Sequence, residues 1–305
     1  TPSIDSYFNA TAGKYGLVEL STRYGDCLMP EIITVDVKEL KRKKIMKDTL
    51  FSPLLVEKVR EALSRGEQAI LFQNRRGFAP MIECRGCGWV PHCVNCDVSL
   101  TYHKAHNQLV CHYCGYTYRL PQVCPECKGT EFKMQGFGTE KVEEEIAGQF
   151  PAAKVERLDF DTARTRTAYE RIISDFEKGK TQILIGTQML SKGLDFGNVS
   201  VVGILSADSL MNFPDFRAHE RAYQLMVQVS GRAGRRDKRG TVILQTTQPE
   251  HPLIRMVQHF AYKEMVSLQL SERSMFRYPP YYRLIVLILR SRNEKALQEM
   301  SALYA

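Results

Sequence analysis

The sequence has no phosphate-binding loop of the G-x-x-x-x-G-K-[ST] type, whose backbone amides cradle the phosphates of a nucleotide. Its nearest match, FNATAGKY at residues 8–15, has Phe8 in place of the first glycine and Tyr15 in place of the serine or threonine. An Asp-Glu dipeptide that holds magnesium is absent as well. We therefore expect the chain by itself not to hydrolyse ATP. Because it starts with Thr1 and not methionine, we interpret it as a fragment that has lost the half carrying those parts.

Long apolar runs are also absent. The longest, LIVLIL at residues 284–289, is far too short to cross a bilayer. No charged segment followed by an apolar one resembles a secretion signal. These absences predict a cytoplasmic protein without a membrane partner. The net charge of +8 over 305 residues favours a polyanionic partner, nucleic acid first, although many soluble proteins are mildly basic.

Cysteine is abundant by contrast, with nine residues, of which eight form four CxxC pairs and one, Cys27, stands alone. Disulfide scaffolds belong to small secreted domains, and a single CxxC could be a redox motif, but four crowded pairs favour metal. Zinc binds four thiolates tetrahedrally, and each CxxC turn supplies two of them. We predict two nested structural zinc sites. The inner ligands are Cys93, Cys96, Cys111 and Cys114, and the outer ligands are Cys84, Cys87, Cys124 and Cys127.

Two alternatives to this pairing remain open in the sequence. A sequential arrangement would place Cys84, Cys87, Cys93 and Cys96 on one ion, across a tight link of five residues. An iron–sulfur cluster is the other. The nearby histidines, His92, His103, His106 and His112, are predicted to be surface or supporting residues and not ligands. Aromatic and basic residues in the block, such as Tyr116 and Arg119, suit stacking on single-stranded bases or equally the small core of a zinc module.

Outside the cysteine block, apolar runs typical of buried strands alternate with helix patterns from residue 53 to residue 246. This alternation predicts an α/β fold with a parallel, doubly wound sheet, into which the cysteine block is inserted between one strand and its following helix. A basic stretch at 38–47 either contacts nucleic-acid phosphates or forms a solvated linker or helix face.

Three polar loops contain the residues that we predict to contact phosphate, nucleic acid or ribose. They are NRRG at 74–77, GTQMLSKGLDF at 186–196 and QVSGRAGR at 228–235. Arginine is suited to binding phosphate because its planar guanidinium can donate hydrogen bonds to two phosphate oxygens at once and stays charged. In the second loop, Thr187, Gln188 and Lys192 have the length and polarity to reach a nucleic-acid backbone, and Asp195 is suited to a ribose hydroxyl.

In that order the three loops resemble motifs IV, V and VI of superfamily 2 helicases. With the cysteine frame, FGTEKVEEE, LDFDT and DFRAHERAYQLMVQVSGRAGR, the chain more narrowly resembles the PriA family of bacterial primosomal replication-restart helicases. The resemblance implies a RecA-like second motor lobe with an inserted two-zinc module and the start of a small α+β C-terminal domain. It implies an ATP- and Mg²⁺-dependent DNA helicase moving 3′ to 5′, which acts on branched forks and single strands.

The resemblance also assigns residues and partners. Arg232, Arg235 and Gln228 would be catalytic, Asp195, Gly193 and Gly231 would bind nucleotide, and Thr187, Gln188, Lys192 and Arg76 would bind DNA. Single-strand-binding protein and primosome proteins are the implied partners, and the protein is expected to be a monomer. The implied divisions are 1–35 for the end of the first lobe and a linker, 36–80 with 132–250 for the second lobe, 81–131 for the zinc insertion and 251–305 for the C-terminal start.

Two other functions are compatible with parts of this pattern. Another superfamily 2 DNA translocase would share the three motifs, but the eight-cysteine insertion discriminates against it. A zinc-dependent nucleic-acid-binding adaptor would share the cysteines and the charge, but would have no use for arginines directed at a nucleotide.

Overall fold

The computed structural model describes most of the chain. The described residues are 1–20, 28–46, 49–73, 82–96, 98–103, 108–111, 114–134, 139–159, 162–191, 194, 196–234, 239–285, 287, 289 and 293–304. Within these ranges, no helix combines the length and the apolar character that a membrane crossing requires.

Eleven strands lie in the described residues. They are β1 (Glu31–Asp36), β2 (Gln68–Phe72), β3 (Ile82–Cys84), β4 (Thr101–His103), β5 (Gln108–Val110), β6 (Thr117–Arg119), β7 (Phe132–Met134), β8 (Val155–Leu158), β9 (Ile183–Gly186), β10 (Val199–Ile204) and β11 (Thr241–Thr246). Six of them form one sheet in the order β1-β11-β10-β2-β9-β8, with every neighbouring pair parallel. The predicted parallel α/β sheet is confirmed.

Ten α-helices and one 3₁₀ turn accompany the strands in the same residues. The α-helices are α1 (Ile4–Thr11), α2 (Val37–Arg42), α3 (Pro53–Ser64), α4 (Thr139–Gln149), α5 (Arg166–Glu177), α6 (Asp208–Met211), α7 (Ala218–Ser230), α8 (Pro252–Gln258), α9 (Tyr262–Met275) and α10 (Glu294–Tyr304). The 3₁₀ turn spans Gln188–Ser191.

Both faces of the sheet are buried, which explains why its strands read as continuous apolar runs. In β2, Ile70 and Phe72 belong to one hydrophobic core and Ala69 and Leu71 to the other. Successive side chains of a strand point to opposite faces of the sheet, so one short strand contributes side chains to both hydrophobic cores.

Local signals fix the helix ends. Helix α3 begins after Ser52, whose hydroxyl accepts the amide of Leu55 (3.3 Å), and has proline at its first position. Gly66 follows it in the left-handed region (φ +70°), which favours glycine. The glycine therefore ends the helix by supplying a backbone conformation that other residues rarely adopt.

The structure differs from the sequence analysis at the start of the sheet. The segment Glu31–Asp36 pairs with Thr241–Thr246, so the sheet begins within the stretch 1–35 that was expected to be the end of the first lobe and a linker. After Pro249 the chain forms α8 and α9, with Phe260 between them in the left-handed region (φ +53°). The described residues of 278–291 contain no strand.

The N-terminal helix is tied to the lobe by polar contacts. The amide of Ile4 donates to the Glu220 carboxylate (2.8 Å), and the same carboxylate receives the Arg273 guanidinium (2.6 Å). Asp5 lies 3.8 Å from Arg217 and 3.9 Å from Arg273. Helices α1, α7 and α9 therefore meet at one ion pair, whose two side chains are 1% and 4% exposed.

We expect Arg273→Ala to lower the free energy of unfolding by about 3–5 kcal/mol, because it leaves the Glu220 charge buried without its partner. The measurement is urea unfolding followed by circular dichroism. Arg171→Ala is the control, since its pair with Glu156 leaves the arginine 60% exposed, and it should cost about 1 kcal/mol or less. Equal losses in the two variants would contradict the assigned role of the pair.

Candidate zinc centres and motor site

The outer cysteine group lies at the base of the insertion. Strands β3 and β7 pair antiparallel and bring the first and last CxxC turns together. Cys84 Sγ lies 3.5 Å from Cys127 Sγ, and Cys87 Sγ lies 3.6 Å from Cys124 Sγ. Four thiolates bound to zinc at ~2.3 Å are separated by about 3.8 Å, so this spacing fits a tetrahedral zinc site.

The inner group is held by the antiparallel sheet β4-β5-β6. Cys93 Sγ lies 3.6 Å from Cys114 Sγ, and Cys96 and Cys111 complete the set. In each group the four sulfur atoms lie within 4.8 Å of one another. The cysteines group as the nested pairing predicts and not sequentially, because the antiparallel pairing of β3 with β7 closes the outer turns on each other. Their role as zinc ligands stays a prediction.

The thiols of the outer group differ in their readiness to lose a proton without metal. Burial raises the pKa of Cys87 to about 12. The backbone amide of Gly129 lowers the pKa of Cys127 to about 7. Because zinc binds thiolates, uptake at neutral pH must displace the Cys87 proton, and acidification should favour release of the metal.

The outer thiol group packs directly against the six-stranded sheet. Gly88 follows its first knuckle with φ +76°, and a side chain at this position would lie 2.8 Å from Thr247 Oγ1. Thr247 follows the end of β11, and its amide and hydroxyl donate to Asp208. The close approach of the knuckle to the sheet therefore depends on a residue without a side chain.

The histidines and tyrosines near the thiol groups differ in what they contact. His92 Nε2 lies 3.4 Å from Ser99 Oγ and belongs to neither thiol group, while His106 and His112 lie outside the described residues. Tyr118 donates to Cys93 Sγ (3.8 Å), which makes it part of the small core. Tyr116 packs on Tyr118 and is half exposed, so stacking on bases stays a prediction for it.

Residues predicted to contact DNA follow the carboxyl ends of strands. Thr187 comes directly after β9 and Gln188 begins the 3₁₀ turn. Thr187 is buried, and its amide donates to the Leu158 carbonyl (3.4 Å) at the end of β8. Arg76 and Lys192 lie outside the described residues. Ligands of open α/β sheets bind at this edge, but the DNA contacts stay a prediction.

Sequence reasoning missed a polar cluster at the same edge. The buried carboxylate of Asp159 accepts the Thr139 hydroxyl (2.5 Å), the Thr162 amide (3.0 Å) and the Arg157 guanidinium (3.4 Å). It thereby ties the start of α4 to the end of β8. The stretches FGTE and LDFDT, which also belong to the family resemblance, were the available signal.

The described residues predicted to meet a nucleotide are Gln228, Gly231 and Arg232, and they lie near the side of the sheet where β10 begins. Helix α7 ends at Ser230, with Gly231 as its C-cap, so the two glycines of QVSGRAGR follow the end of a helix. Gln228 lies in the last turn of α7. The Gly234 amide donates to the Val199 carbonyl (3.1 Å) at the start of β10.

Arg232 is buried and connects two of the predicted motifs. Its guanidinium donates to the carbonyl of Leu194, in the second polar loop. Asp195 and Gly193, on either side of Leu194, lie outside the described residues, as do Arg235 and the lone Cys27. The direct role of Arg232 at a nucleotide stays a prediction.

The segment 187–198 connects the side of the sheet where the strands end to the side where they begin. It leaves β9 at the carboxyl edge, where Thr187 lies, and enters β10 at the amino edge, where Leu194 meets Arg232. A single short crossover thus connects the predicted DNA contacts to the predicted nucleotide contacts.

Comparisons with known proteins agree with this architecture. Residues 93–119 match the family described as the PriA DNA helicase Cys-rich region (CRR) domain, and residues 132–237 match the helicase conserved C-terminal domain. The chain is 44% identical over 99% of its length to "Replication restart protein PriA" of Bacillus subtilis (strain 168), of which it covers 37%.

Two further relatives carry the same name. The chain is 39% identical to the protein of Synechocystis sp., over 98% of this chain and 37% of that protein. It is 41% identical to the protein of Haemophilus influenzae, over 92% of this chain and 38% of that protein. The chain therefore spans little more than a third of the length of these relatives.

The two thiol groups predict two zinc ions per chain and independent loss of each. Cys93→Ser should empty the inner site and leave one ion, and Cys124→Ser should empty the outer site and leave one ion, because the groups share no ligand. Elemental analysis by mass spectrometry gives the count. Cys27→Ser, outside both groups, is the control and should retain two ions.

Loss of both ions in either single variant, or iron in place of zinc in the unaltered chain, would contradict this assignment. Hydrogen exchange of the same samples should show faster exchange in the cysteine-rich module than in the six-stranded sheet, because zinc binding supplies the folding energy of such small modules.

Proposed function

Because the chain belongs to the PriA family of replication restart proteins, we propose that it forms the second motor lobe and zinc module of an ATP-dependent DNA helicase. The helicase would move 3′ to 5′, restart stalled replication forks and assemble the primosome. The observation that carries this proposal is the buried contact from Arg232 to Leu194, because it joins the two loops that a nucleotide-driven motor must move together.

On the nucleotide side, Arg232 and Arg235 are the proposed partners of the ATP phosphates. A guanidinium stabilises the charge that develops on a transferring phosphoryl group, and in related sites such an arginine supplies a rate factor of about a thousand or more. Asp195 would hold the ribose, and the small Gly193 and Gly231 would admit the nucleotide. The loop and the acidic residues that hold the β- and γ-phosphates and Mg²⁺ would come from the other lobe.

On the DNA side, Thr187, Gln188, Lys192 and Arg76 are the proposed contacts to the phosphate backbone. Phosphate contacts serve a translocating motor because they do not depend on base sequence. Gln228 would transmit the state of the nucleotide toward the bound strand. The net charge of +8 supports a nucleic-acid ligand, and its binding should weaken as salt increases.

The remaining proposals concern the complete protein. It would work in the cytoplasm on branched forks and single strands, as a monomer, with single-strand-binding protein and primosome proteins as partners. The two zinc ions would be structural, since all four ligand positions of each ion are filled by thiolates and none is left open for chemistry.

The chain by itself should show no ATP hydrolysis in the presence of single-stranded DNA, because a phosphate-binding lysine and the magnesium carboxylate are missing from its sequence. A coupled assay of phosphate release measures this, with the complete protein as the positive control. DNA-stimulated turnover by the purified chain would contradict the assignment of the two halves of the site.

In the complete protein, Arg235→Ala should reduce the rate of ATP hydrolysis by about a thousandfold, with DNA binding and folding retained. Arg232→Ala should act similarly and should also release the Leu194 loop. Steady-state ATPase and DNA-binding titrations measure the two properties. Arg236→Ala is the matched control and should be much milder, whereas near-normal turnover by the Arg232→Ala, Arg235→Ala double variant would overturn the proposed function.

A further inference from the structure

One aromatic side chain from outside the inner zinc module packs against the core of that module. The core consists of Cys93, Val98, Leu100, Leu109 and Cys111. Among the described residues, the partly buried apolar side chains that pack against it come from the module itself, with one exception. Phe216, two residues before α7, reaches it from the motor lobe.

Phe216 is held in place by its own neighbours. The Tyr278 ring stacks on it at 4.6 Å between centroids and 11° between planes. The guanidinium carbons of Arg217 and Arg273 lie 4.6 and 5.2 Å from the ring centroid. Stacking and cation–π contacts both depend on ring orientation, so they fix the direction in which Phe216 enters the module.

A hydrogen bond reinforces the contact. The Tyr278 hydroxyl donates to the carbonyl of Cys96 (3.2 Å), one of the four inner thiol residues. Arg273, beside the ring, is the partner of Glu220 in the buried ion pair. The zinc module is therefore attached to residues that are themselves fixed in the lobe.

Helix α7 extends from this attachment to the predicted nucleotide site. Its 13 residues span about 20 Å, with Phe216 just before its first residue and Arg232 just after its last turn. Tyr223, Met226 and Val229 are buried along it, so the helix is packed into the motor core over its length.

We propose that Phe216 is the positioning residue that fixes the inner zinc module to helix α7. Strand separation needs a part of the protein that does not yield when the motor moves the DNA against it, and a module that is free to tilt would absorb that motion. The docking rests on the contacts of Phe216 and Tyr278. The consequence for unwinding rests on the proposed helicase function.

The test compares Phe216→Ala with Phe216→Tyr in the complete protein, with zinc content measured first. Phe216→Ala should keep two zinc ions, while the amides of Cys93 and Leu100, bonded to the Val98 and Pro91 carbonyls, should exchange hydrogen about tenfold faster. Its unwinding rate should fall about tenfold while DNA-stimulated kcat stays within about twofold. Phe216→Tyr, which keeps the ring, should restore both properties.

Tyr281→Ala is the matched control, because Tyr281 is three residues from Tyr278 but packs edge-on against Phe8 of α1. It should match the unaltered protein in every measurement. Unchanged exchange in Phe216→Ala would overturn the docking role, whatever the activity. Parallel loss of hydrolysis and unwinding would overturn the positioning role. An unaltered protein that neither hydrolyses ATP nor unwinds DNA would refute the proposed function, and the exchange result would still decide the docking.

Discussion

The buried pair between Arg273 and Glu220 is the contact on which the arrangement of the lobe depends. Two opposite charges with almost no exposure persist only when each has its partner and further hydrogen bonds, and Glu220 also accepts the amide of Ile4. The pair therefore fixes three helices that are far apart in sequence. It also sets the position of Phe216, because the Arg273 guanidinium lies against that ring.

The zinc module depends on this junction as well as on metal. Its core is too small to support a stable fold by apolar burial alone, and modules of this size obtain their folding energy from the bound ion. A metal ion would tie each thiol group together but would not orient the module on the six-stranded sheet. The orientation comes from Gly88 against Thr247 on one side and from Phe216 with Tyr278 on the other.

The parallel sheet keeps the two predicted contact regions apart. Parallel strands place all their carboxyl ends on one side of the sheet, so Thr187, which follows β9, lies on the opposite side from the start of β10, where the Gly234 amide donates to Val199. The residues predicted to contact DNA and those predicted to meet a nucleotide are therefore joined along the chain by the segment 187–198.

The sequence by itself determined the features that depend on local pattern. The CxxC spacing identified the eight cysteines that form the two thiol groups, and it favoured the nested pairing over the sequential one without excluding the latter. Apolar runs and helix patterns predicted the parallel sheet, and the helix pattern that ends at Gly66 corresponds to α3. These signals are readable because each depends on residues within one turn, strand or knuckle.

Tertiary structure decided what depends on partners distant in sequence. The segment 31–36 is a strand because it pairs with β11, which lies about two hundred residues later in the chain. Phe216 packs against the zinc module because folding brings it to the core that contains Cys93 and Leu100, although it lies two residues before α7. Arg232 lies near the amino-terminal end of β10 because α7 ends there. Such contacts follow from packing over long sequence separations, for which a single sequence carries no periodic signal.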